Sequence, residues 1–322
     1  MDELINLLAN GEEVIDVDEE SFLLFAQDIA SNNLGMLNPR APSVEISIND
    51  NEYIIHQSPS LLSSHRAGGT TGAVLWKITP LFAEWVTNPS NPLWTTAFLG
   101  QASTVVELGT GISALVALVL APSVHHYIAT DQEYVRKLFR TNLDSNASVL
   151  SSNSNNKSKG KSKGSKSSKS KPTSSPTKPI NNISFMALDW ETDQATSLKE
   201  CVDPDDAQGK DGEEEEEDRG FDLLLSCDCI YNEALVAPFV RTCAEICQLR
   251  PAFVAGSEEQ SPRRKPTVCI VAQQQRSPDV FETWLRETMR EFRVWRLSDD
   301  VLGEGLRSGS GYLVHLLLAK HK

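Results

Sequence analysis

The pattern of apolar and polar positions changes character near residue 100. From Thr104 onward, short apolar runs alternate with helix-length segments. "TVVELG" predicts a strand, followed by a helix over 112–120. "HHYIATD" predicts a second strand ending at Asp131, with a helix over 132–144. "ISFMALDW" is a third strand, and "FDLLLSCDCIY" a longer, fully apolar fourth, followed by a helix over 233–248. "PTVCIVAQQQ" is the fifth, with a helix over 278–290, and "FRVWRLS" and "GYLVHLLLAK" close the chain as two adjacent strands. Strands this continuously apolar belong to a parallel sheet covered on both faces. The last two strands have no helix-length gap between them, so one of them is expected to run antiparallel, at or near the sheet edge.

Before residue 100 the pattern is different. Two short amphipathic helices are expected, Glu3–Leu8 and Phe22–Ser31, around an acidic turn. "VEISIND" and "EYIIHQ" alternate apolar and polar residues across turn chemistry, which predicts a β-hairpin at about 43–57. A Gly/Thr loop follows, then a helix whose Leu81, Phe82, Trp85 and Val86 share one face. The expected architecture is an α/β doubly wound, seven-stranded, mostly parallel sheet over 101–322. An N-terminal extension of helices and a hairpin over 1–100 would cover the ligand.

Charge alters this picture little. The net charge of −14 over 322 residues is concentrated in segments between elements. Residues 203–218 hold ten acids and one lysine, whereas 157–178 hold eight lysines and no acids. Ser/Lys low complexity over 150–180 and the acidic run over 200–219 read as insertions that bury too little to order themselves. The lysine-rich one would suit RNA contact. The six cysteines form no CxxC pair, and the histidines show no ligand spacing, so no metal site is expected. Reduced thiols, an acidic N-terminus without a basic n-region, and no long apolar run lead to the expectation of a soluble, cytoplasmic protein.

The chemistry begins at "VVELGTGISA". Gly109-x-Gly111-x-x-Ala114 joins the first strand to its helix, and Asp131 lies 22 residues beyond Gly109, at the end of the second strand. Such a turn brings backbone close to a nucleotide-like ligand, and such an acid accepts ribose hydroxyls. Dehydrogenases and methyltransferases share this much. Glu107, just before the turn, would repel a pyrophosphate but would suit the ammonium of a sulfonium cofactor. Trp190 ends the third strand, where an indole can lie over adenine. Asp228-x-x-Tyr231 ends the fourth, outside the carboxyl edge of the sheet.

"LWKITPLFAEWV", "VVELGTGIS", "TD", "LDW" and "SCDCIYNE", in this order, resemble the seven-β-strand protein-lysine methyltransferases of family 16. The resemblance covers roughly 43–320. It implies a class I, Rossmann-like fold, S-adenosylmethionine as methyl donor and a protein lysine as acceptor. Within the family, the closest match implies a large-subunit ribosomal protein of the L1 type as acceptor. It makes Trp76 a wall of the cofactor pocket beside Glu107, Gly109, Gly111, Asp131 and Trp190; Ser226, two residues before Asp228, is expected at the pocket floor. Asp228 and Tyr231 become the catalytic pair that orients the acceptor amine. A monomer is expected. The alternatives are a methyltransferase of RNA and a ribosome-docking scaffold that binds the cofactor without chemistry. The first lacks the Pro-Pro-aromatic turn that stacks a base.

Overall fold

A computed structural model describes residues 2–29, 33–64, 69–149, 182–201, 220–249 and 265–320. The Ser/Lys segment and nearly all of the acidic run lie outside the described residues. Ten strands are described: β1 (Gly11–Val14), β2 (Ser43–Ile48), β3 (Asn51–His56), β4 (Thr104–Leu108), β5 (His126–Asp131), β6 (Ile183–Ala187), β7 (Leu223–Cys227), β8 (Val268–Gln274), β9 (Phe292–Leu297) and β10 (Tyr312–Ala319). Eight of them form one sheet in the order β1-β9-β10-β8-β7-β4-β5-β6, and β2 and β3 form the expected hairpin.

The β6-β5-β4-β7-β8 block is parallel throughout. It is buried on both faces because helices cover each side. Val105 and Val106, neighbours on β4, enter different core clusters. The Val105 side holds helices α1 (Ile78–Thr87), α2 (Leu115–Leu120) and α3 (Arg136–Ser145); the Val106 side holds α4 (Val236–Gln248) and α5 (Pro278–Glu291). Strand order reverses at β4, whose two neighbours are β5 and β7. The crevice outside the carboxyl ends of these three strands is where a ligand binds in such a sheet.

Two features differ from expectation. Of the last two strands the antiparallel one is β10, which sits near the edge, as expected, but between β8 and β9 and not at the edge itself. Eight consecutive positions, mostly buried, make β10 an interior strand. The edge is instead closed by an eighth strand, β1, antiparallel to β9. The acidic turn expected there is this strand. Its Glu12 and Glu13 pair with Arg296 and Arg293 at 2.6 Å, so charges that look like turn residues are matched across the edge. The helix that follows it spans Val17–Phe25, earlier than expected, because the Asp16 side chain caps it by accepting from the Glu19 N–H at 2.8 Å.

Candidate active site

A cavity of about 430 Å³ opens at the β4 switch point. Glu107, Gly109, Gly111, Asp131, Trp190, Asp228, Tyr231 and Trp76 all line it. Ser226 does not: it is fully buried behind the wall. The expectation that Ser226 floors the pocket rested on its lying two residues before Asp228. The strand ends at Cys227, and Asp228 takes a left-handed conformation with φ 64°, so the two side chains no longer share a face.

The glycine loop is held from three sides. Gly109 and Gly111 have φ of 72° and 60°, and a Cβ on Gly109 would lie 2.3 Å from Cys229 Sγ. Glycine is required there by conformation and by space. The four amides from Gly109 to Ile112 are engaged within the chain. The Gly109 and Thr110 N–H groups donate to the Thr130 carbonyl at 2.9 and 3.1 Å, and that of Ile112 donates to the Gly72 carbonyl at 2.9 Å. Gly111 N–H donates to Asp131 Oδ2 at 2.8 Å. A phosphate-binding turn instead points free amides at its ligand. α2 begins three residues later without a side-chain cap.

Glu107 is almost completely buried and accepts the Tyr127 hydroxyl at 2.7 Å. Burial pushes its carboxyl up to about 7, against the opposing effect of its hydrogen bonds. Burial likewise pushes Asp131 up to about 6, although the Gly111 and Gln132 amides hold its charged form. Two acids kept at such a balance suit a ligand that brings positive charge and hydroxyl donors. Trp190 packs edge-on to Phe239 at 5.1 Å, and its buried Nε1 has no protein partner. The loop before α1 forms the remaining wall. Trp76 Nε1 donates to the Thr71 carbonyl at 3.0 Å, and Thr71 Oγ1 lies 3.0 Å from the Tyr231 hydroxyl.

Asn232, not Asp228, caps the helical segment before α4, accepting from the Ala234 N–H at 3.2 Å. Asp228 instead forms a bidentate pair with Arg276, 2.6 Å from each guanidinium nitrogen. Sequence reasoning missed Arg276. Its signal is the "QQQR" exit of β8, a neighbour of β7, which places it at the same sheet edge. Among the described residues, no group of three or more His, Cys, Asp or Glu could hold a metal.

No family model matches the chain. A Diaminohydroxyphosphoribosylamino-pyrimidine deaminase of Schizosaccharomyces pombe is 35% identical over 134 residues, 41% of this chain. The chain spans about a third (32%) of that relative's length. A longer similarity, 29% identity covering 75% of this chain and 72% of the relative, is to Ribosomal lysine N-methyltransferase 5 of Zygosaccharomyces rouxii. The protein of the same name in Kluyveromyces lactis is 26% identical over 85% of this chain and 88% of its own. A solved methyltransferase from Streptococcus mutans superposes at a TM-score of 0.43 with 10% identity over 87% of this chain and 56% of its own, too loosely to bear on function. The resemblance carried by the motifs is thus borne out along most of the sequence: the chain is similar over three quarters or more of its length to fungal proteins named Ribosomal lysine N-methyltransferase 5.

Proposed function

We propose that the protein transfers a methyl group from S-adenosylmethionine to a lysine side chain of a ribosomal protein, specifically a large-subunit protein of the L1 type. The observation that carries the cofactor reading is the engaged state of the glycine loop. With the amides of Gly109 to Ile112 spent on Thr130, Asp131 and Gly72, these four N–H groups are not offered to a pyrophosphate. What the turn exposes is the buried carboxyl of Glu107, which favours an ammonium. Asp131 keeps lone pairs for ribose hydroxyls, and Trp190 offers an indole face to adenine. The lysine acceptor is supported by the relatives, and an acceptor on the ribosome puts the reaction in the cytoplasm. No described helix is long and apolar enough to cross a membrane.

When bound, the cofactor supplies an electrophilic methyl group; the chain supplies position. Tyr231, about 40% exposed and anchored to Thr71, stands at the mouth with its hydroxyl able to orient an incoming amine. Asp228 fixes the acceptor side through its pair with Arg276. Placing two reacting groups in line is worth orders of magnitude in rate without any proton transfer by the enzyme. Calorimetric titration tests the cofactor reading: S-adenosylmethionine should bind and NAD should not. Tight NAD binding would overturn it.

A further inference from the structure

Five acidic residues line the cavity: Glu107, Asp131, Asp189, Glu191 and Asp228. Glu107 and Asp131 belong to the donor side. Asp228, almost fully buried at its side chain, faces the acceptor side near Tyr231. A bare carboxylate there would hamper the chemistry. It would hold an incoming lysine as ammonium, since a nearby opposite charge favours the charged form. An ammonium has no lone pair with which to attack a methyl group.

The structure removes this obstacle. Both Asp228 oxygens are taken by Arg276, and Oδ1 also accepts the Gln274 N–H at 3.1 Å. The same guanidinium lies over the Trp76 ring, 5.0 Å from its centroid. Arg276 therefore fills the two features, carboxylate and aromatic face, that would otherwise capture a lysine cation. The other titratable groups facing Asp228 are Cys227, Cys229, Tyr231 and Tyr312, and burial pushes all four up, so they stay uncharged near neutral pH. Among the described residues, no lysine, arginine or histidine lines the cavity itself. Asp228 is also held in a left-handed conformation, a strain that persists where the surroundings over-determine a position.

We propose that Arg276 is a positioning residue that keeps Asp228 from trapping the acceptor lysine as its ammonium, so that the amine reaches the methyl donor uncharged. The lysine gives its proton to solvent on entry. Its nitrogen lone pair then forms the new N–C bond as the C–S bond breaks, and that electron pair stays on sulfur. The methylated amine, now positive, loses its second proton to solvent. This inference rests on a lysine being the acceptor.

The test counts protons. The protein saturated with S-adenosylhomocysteine is titrated with the L1-type ribosomal protein in two buffers of different ionisation enthalpy at about pH 8. A free lysine is protonated there, with a reference pKa of about 10.4. The unaltered protein should release about one proton per lysine bound, and Arg276→Gln close to none. The double change Arg276→Gln with Asp228→Asn should restore release, because it removes the trap with the guard. The acid limb of kcat, which reports the bound amine, should move up by about one pH unit or more in Arg276→Gln. Undiminished proton release by Arg276→Gln would overturn the inference. Should that variant fail to fold, Arg276→Lys decides. One ammonium cannot span both carboxylate oxygens as a guanidinium does, so release should fall part-way, and full release would count against the proposal. Failure of the unaltered protein to methylate any lysine would instead refute the acceptor reading.

Discussion

Gly109 and Cys229 are packed so closely that no side chain fits between them: a Cβ on Gly109 would lie 2.3 Å from the cysteine sulfur. The turn after β4 and the exit of β7 are thereby locked together. Cys229 in turn donates to the Leu108 carbonyl at 3.4 Å, so the contact also seats the start of the loop.

Gly109→Ala should therefore abolish cofactor binding and lower stability. The left-handed φ alone costs about 1–2 kcal/mol for a residue with a Cβ, and the clash adds to it. Adding Cys229→Ala should recover the steric part but not the conformational part. Chemical denaturation of both single variants and the double variant measures this. Strict additivity would mean that the two residues do not collide.

Cofactor affinity should depend on pH through Glu107. Its carboxyl titrates near 7 in the ligand-free protein. A bound ammonium favours the ionised form, so the bound state holds fewer protons. Affinity should rise as pH climbs toward about 7 and level off above it. Glu107→Gln should weaken binding and flatten the profile, leaving a smaller slope centred lower, where Asp131 titrates near 6. Calorimetry between about pH 5.5 and about pH 8.5 reads both curves; an unchanged slope in Glu107→Gln would assign the proton elsewhere.

The same two carboxyls set a stability trend in the absence of ligand. Their folded values lie above the unfolded reference of about 4. Their contribution is fully present below that reference and is lost as pH rises through about 6 and about 7. Between about pH 5 and about pH 7.5, Glu107→Gln should lose less thermal stability than the unaltered protein does. Parallel melting curves would contradict this.

Donor-side and acceptor-side changes should separate in kinetics. Asp131→Ala removes the ribose acceptor and the brace on the Gly111 amide, and should weaken S-adenosylmethionine binding more than it slows turnover at saturation. Tyr231→Phe leaves the cofactor contacts in place. It should slow single-turnover transfer by about 10²-fold, the scale expected when a group that aligns reactants is lost. Near-normal turnover in Tyr231→Phe would place the acceptor site elsewhere.

The parallel strands were legible in the sequence because burial on both faces leaves them no choice but continuous apolar runs, as in "VVEL" and "LLLSC". That Glu107, Gly109, Gly111 and Asp131 meet at one cavity was legible too, because they are tied to strand ends by short-range geometry. β1 was hidden because its Glu12 and Glu13 are explained only by arginines some 280 residues away. Arg276 was hidden for a similar reason, standing 48 residues from Asp228 and meeting it only once β8 lies beside β7. Ser226 misled because strand alternation was extended one residue past the point where the backbone turns.

Methyl transfer itself is the most direct test. The purified protein is incubated with ribosomal proteins, ribosomal RNA and S-adenosylmethionine labelled in its methyl group. The products are split by protease and nuclease, and labelled fragments are sequenced by mass spectrometry. The expected result is label on a lysine Nζ of an L1-type protein, sensitive to protease, resistant to nuclease, and absent with Glu107→Gln at low cofactor concentration. Label on RNA, or no label at saturating cofactor, would contradict the account.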